Sequence, residues 1–96
     1  MLIYVLHDDG DWQSAKMARW KTHCMQIEDT ENCYLSPAYA FSHIETGEVP
    51  TYEKTEIRLD LLSVCDVLLI ASPVTDKMKP EIEFANLVGI EVRYED

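Results

Sequence analysis

The residues best placed to do chemistry lie in the last third of the chain, between Cys65 and Tyr94. There an apolar run, Val67 to Ala71, leads into a loop holding Pro73, Thr75 and Asp76, and Glu81 follows directly after Pro80. A proline fits the first position of a helix because its fixed φ suits the turn and its missing N–H would find no partner there. Glu81 therefore sits in a first helical turn, beside the crevice that opens at the carboxyl ends of strands in α/β sheets. A carboxylate there has two readings. It is either a reactive group, as nucleophile or base, or a helix-start charge that gains a few tenths to about 1 kcal/mol from the helix dipole.

A second concentration of polar residues follows the opening run Leu2 to Leu6, in His7, Asp8, Asp9, Gly10 and Asp11. His7, directly after the run, is a candidate for hydrogen bonding to a base or sugar, and Asp8 and Asp9 are candidate acids or members of a solvated turn. Thr75 and Asp76 are candidates for binding sugar hydroxyls, or parts of an ordinary capping loop. Trp12, Tyr39 and Phe41 either stack on a ligand or belong to the core. His7, His23 and His43 pair with no second His or Cys at metal-ligand spacing, so the sequence carries no signal for a metal, nor for an organic cofactor.

These residues need elements to hold them. Leu2 to Leu6 reads as a first buried strand, and Asp11 as the cap of a helix from about Trp12 to Glu28 with Ala15, Ala18 or Arg19, Thr22 and Met25 or Gln26 along one face. Cys33 to Leu35 reads as a second strand stopped by Ser36 and Pro37, and Ala38 to Pro50 as a long connection. A helix is predicted from Thr51 or Tyr52 to about Val64, with Ile57, Leu61, Leu62 and Val64 inward. A third strand spans Asp66 to Ser72, a helix Pro80 to Val88 with Ile82, Ala85 and Val88 on its apolar stripe, then Gly89 as helix stop and a fourth strand from Ile90 to Tyr94. The order βαβαβαβ predicts one domain, residues 1–96, with a small doubly wound parallel sheet of Rossmann or flavodoxin-like type.

Composition bounds the partners. Eighteen acidic and eight basic side chains give a net charge of −10, which disfavours nucleic acid and anionic membrane surfaces. Three cysteines without a C-x-x-C spacing fit a reduced, cytoplasmic protein, and Cys65 reads as packing. No apolar run approaches the length of a membrane span, and no signal peptide is evident. A four-stranded sheet this small is expected to complete its core by homo-oligomerisation.

The run C-D at Cys65 and Asp66, an apolar strand, and then T-x-K-M-x-x-E-I-x-x-A-x-x-x-G-x-x-V from Thr75 to Val92 resembles the nucleoside 2-deoxyribosyltransferase-like superfamily, and within it the short bacterial and phage proteins of the DUF4406 type. Ser36-Pro37 and R-x-D-L-L-x-x-C-D from Arg58 to Asp66 agree with the same pattern. The resemblance implies a nucleoside-like small molecule as ligand and Glu81 as a nucleophile that attacks the anomeric carbon and forms a glycosyl-enzyme ester, with Thr75, Asp76 and Met78 lining the site. The implied activity is N-glycosidic bond cleavage or deoxyribosyl transfer. The alternative is a protein of the same fold that binds such a ligand, or serves as a scaffold, without turnover.

The chain departs from the pattern at three places. Lys77 stands where a glycine lets backbone approach the sugar, Arg58 stands where an aspartate helps protonate the base, and the first loop is acidic where phosphate-binding members are small and basic. The last departure favours a neutral nucleoside. Two geometries separate the alternatives: a second carboxyl group converging on Glu81 supports chemistry, whereas pairing of Arg58 with Glu81 gives a satisfied carboxylate that is a poor nucleophile.

Overall fold

The computed structural model describes residues 1–40 and 55–95, and Phe41, His43 and the predicted start of the second long helix lie outside them. Four parallel strands form one sheet in the order β2-β1-β3-β4: β1 Leu2–Leu6, β2 Cys33–Leu35, β3 Val67–Ile70 and β4 Glu91–Tyr94. Helices α1 Trp12–Glu28, α2 Pro37–Ala40, α3 Thr55–Ser63 and α4 Lys79–Val88 connect or flank them, with a 3-10 turn at Asp76–Met78 before α4. The predicted doubly wound α/β fold is therefore present. Among the described residues no helix is long and apolar enough to cross a membrane.

The sheet's interior follows from unbroken apolar runs. Ile3, Tyr4, Val5 and Leu6 are all buried, because β1 has neighbours on both edges and helices over both faces. Alternation then sorts the side chains. Tyr4, Leu6, Leu68 and Ile70 join Leu62, Cys65, Met78 and Ala85 in the main core beneath α3 and α4. The α1 side packs through small residues, Ala15, Ala18 and Ala38.

Short polar links set the register. Asp66 Oδ2 accepts the Leu2 N–H at 2.8 Å, and its own N–H donates to Leu2 O at 2.8 Å, so the aspartate that leads into β3 fixes the start of β1 against it. At the far end, the Asp8 N–H donates to Ser72 Oγ at 2.9 Å and ties the loop after β1 to the loop after β3. Those two loops flank the point where strand order reverses.

Most of the predicted elements recur, with instructive differences. Ala15, Ala18 and Thr22 are the buried face of α1, as its spacing predicts. Residues Pro37–Ala40 are helical rather than part of an open connection: Ser36 Oγ accepts the Tyr39 N–H at 3.1 Å, a serine cap followed by proline at the first helical position. Val64 and Val88, expected inward, are exposed, and the interior of α3 is shared instead by Leu62 and Arg58. Trp12 and Tyr39 are exposed and so are not core aromatics. Gly89 ends α4 with φ of 84°, where a left-handed conformation closes the helix through its N–H to Ala85 O.

Candidate functional site

Three charged side chains from three elements meet inside the protein. Glu81 comes from the first turn of α4, Arg58 from the inner face of α3, and Asp9 from the loop after β1; all three are buried. Arg58 Nη1 donates to Asp9 Oδ1 at 2.9 Å. On its other side Nε lies 2.9 Å from Glu81 Oε1 and Nη2 lies 3.5 Å from Oε2. One guanidinium thus bridges two carboxylates that are 72 positions apart in the sequence. A planar cation with several donors suits that task, since each buried carboxylate would otherwise carry an uncompensated charge.

Electrostatics leave Glu81 unusual. Burial pushes its carboxyl from 4.5 up to about 7, with Arg58 opposing the rise and Asp9 adding to it. Burial also acts against the Arg58 cation, but Tyr4, Asp9 and Glu81 outweigh it and raise its pKa above the ordinary arginine value. Tyr4, on β1 beneath the cluster, is likewise raised, chiefly by burial, with Arg58 opposing and Glu81 contributing. The cluster borders a cavity of about 270 Å³ lined by Asp9, Gly10, Thr55, Arg58, Lys77, Pro80 and Glu81.

Lys77, one of the three departures from the sequence pattern, lines this cavity. Its side chain lies over Gly10, so that a Cβ added at Gly10 would sit 2.8 Å from Lys77 Nζ. Gly10 accordingly leaves the space that the lysine stem occupies.

The remaining sequence candidates distribute differently. His7, Asp8 and Thr75 line a separate crevice of about 720 Å³ at the carboxyl ends of β1, β3 and β4, together with Ser14, Lys21, Ser72, Tyr94 and Glu95. There His7 Nδ1 lies 2.7 Å from the Asp8 carbonyl oxygen, which can only accept, so Nδ1 carries the proton. Lys21 Nζ donates to Ala71 O at 2.8 Å and lies 3.8 Å from Glu95 Oε1. The loop after β1 therefore divides its residues, His7 and Asp8 toward the crevice, Asp9 and Gly10 toward Glu81.

Two candidates fall in neither space. Met78 is 2% exposed and is part of the main core, its sulfur 3.4 Å from the Thr75 N–H; an apolar side chain in the turn before α4 gains more from burial there than from facing a polar ligand. The Asp76 carboxylate projects to solvent and pairs with Lys79 at 2.9 Å, one turn on. Asp60 is exposed on α3, away from Arg58, as its spacing of two positions predicts.

Arg58 is the member of the site hardest to read from sequence. The sequence pattern marks its position only as one where an aspartate is replaced, and the signal for its inward direction is its spacing of four from Leu62, which places it on the inner face of α3. Both separating geometries named above occur together: Asp9 converges on the cluster, and Arg58 pairs with Glu81. Comparison with protein-family profiles, with characterised proteins and with solved structures finds no match to this chain.

Proposed function

We propose that the chain acts on a nucleoside-like ligand at the Asp9–Arg58–Glu81 cavity, cleaving or transferring its N-glycosidic bond through Glu81. The observation that carries this reading is a buried carboxylate of raised pKa that borders a cavity and shares its guanidinium with a second carboxylate. In the reaction, a Glu81 oxygen forms a bond to the anomeric carbon as the bond to the base nitrogen breaks. The bonding pair leaves with the base, which takes a proton from water, and water or a second base then opens the ester. Arg58 opposes the effect of burial and so favours the ionised form of Glu81, which prevails above about pH 7, and it must release one of the carboxylate oxygens for the bond to form.

A second reading, ligand binding without turnover, is favoured by a specific contact: Arg58 lies within 3.5 Å of both Glu81 oxygens. The proposal includes a cytoplasmic setting, supported by Cys24, Cys33 and Cys65 all being free. It also includes a homo-oligomer, supported by Val64, Leu87 and Val88, which are exposed at the carboxyl-terminal ends of α3 and α4.

Intact-mass spectrometry after incubation with deoxynucleosides and a slow-leaving 2-fluoro analogue tests the chemistry, with Glu81→Gln as control. A mass gain of one sugar in the native protein alone supports a glycosyl-enzyme. A folded sample with neither adduct nor released base refutes the catalytic reading, and calorimetric titration with the same nucleosides then decides whether binding survives.

A further inference from the structure

The outer face of α1 has a composition unlike the rest of the chain. From Trp12 to Ile27 there is no acidic residue, although the whole protein carries a net charge of −10. Lys16 and Arg19 lie on this face, and among the described residues no carboxylate pairs with either. Both tryptophans of the chain also lie there, Trp12 at 68% and Trp20 at 62% exposure.

Helical spacing makes these residues one surface. Trp12, Lys16 and Trp20 follow one another at intervals of four, and His23 continues the line. The Lys16 ammonium lies 5.3 Å from the centre of the Trp12 ring, and the Trp20 and His23 rings are 6.1 Å apart. With Met17 and Tyr39 they border a groove of about 740 Å³. The buried face of the same helix is Ala15, Ala18 and Thr22, so the tryptophans contribute nothing to the fold's core.

We propose that this groove docks an acidic protein segment that carries an apolar side chain. The two tryptophans are about 12 Å apart along the helix, with Lys16 between them, and the groove they border with Met17 and Tyr39 offers aromatic surface to an apolar anchor beside a cation. Lys16 and Arg19 beside them complement carboxylates on the same segment and repel basic sequences. A second copy laid on the same face in a symmetric pair would bring Lys16 and Arg19 against their equivalents. A nucleic acid or anionic membrane extends its charge well beyond Lys16 and Arg19 into the net negative field of the rest of the molecule, whereas a short segment can confine its few carboxylates to these two cations.

Peptide display against the native protein, with counter-selection on the Trp12→Ala/Trp20→Ala variant, tests the proposal. Both positions are exposed, and circular dichroism checks that the variant is folded. Enriched peptides should be net negative with an apolar residue, should shift the tryptophan emission to shorter wavelength, and should lose at least tenfold in affinity to Lys16→Glu/Arg19→Glu. Failure to enrich over counter-selection, enrichment of neutral or basic peptides, or affinity unchanged by charge reversal would each overturn it. So would an emission shift that follows protein concentration without peptide, which would place a second copy in the groove, or stronger binding of a single-stranded oligonucleotide.

Discussion

Replacing Glu81 by glutamine keeps the side chain's shape and removes its ionisation, so it isolates the pH dependence that this carboxyl imposes on folding. In the folded protein burial raises its pKa from 4.5 to about 7. An acid whose pKa is raised by folding stabilises the native state while it is protonated in both states, and that contribution is lost as pH rises through the folded value. The window is therefore pH 4.5 to about 7. At about 1.4 kcal/mol per pH unit, the native protein should lose roughly 3 kcal/mol relative to Glu81→Gln across it. Solvent screening gives little relief, because the side chain is only 2% exposed. Urea denaturation of both proteins at half-unit steps from pH 4 to 8 measures the difference, in which titrations common to both cancel. A difference that is flat, or that grows in favour of the native protein as pH rises, would refute the reasoning: it would mean that the contact with Arg58 outweighs burial and that Glu81 is ionised throughout.

Two further perturbations address the cluster and the core. Arg58→Leu leaves Asp9 and Glu81 buried without their shared cation and should destabilise the fold by about 3–5 kcal/mol at pH 8. In urea unfolding the loss should shrink at pH 5, where Glu81 is protonated, and an equal loss at both pH values would contradict the electrostatic account. Leu62→Ala removes a fully buried side chain from the α3 face of the main core and should cost about 2–5 kcal/mol by the same measurement.

The fold was legible where local rules and tertiary context agree. Leu2–Leu6, Trp12–Glu28 and Cys33–Leu35 lie where apolar runs, the Asp11 cap and the Ser36-Pro37 stop put them, because each signal is contained within a few residues. Gly89 is another such case, since its φ of 84° is what a helix stop requires. The site was legible only in part. The position of Glu81 follows from Pro80 and the strand before it, but its burial depends on α3 packing against α4, which no local pattern states. Asp9 and His7 illustrate the same limit: they are two positions apart and line different spaces, because the path of the loop after β1 is set by contacts such as Asp8 N–H to Ser72. Arg58 combines a polar residue type with an inward position, and composition-based reading assigns such residues to the surface.

The strand order has a consequence for how the chain is made. β1 pairs with β3 in a register that sets Ile3 opposite Val67, 64 positions later in the sequence. Its other neighbour, β2, is only three residues long. At a synthesis rate of about 5–20 residues per second, roughly 3 to 13 s separate the emergence of β1 from that of its principal partner. During that interval the apolar stretch Leu2–Leu6 has one edge and one face without their native cover. A chaperone that holds short apolar strands, or slow refolding accompanied by aggregation in vitro, is the cellular and experimental counterpart of a parallel sheet whose second interior strand is synthesised so late.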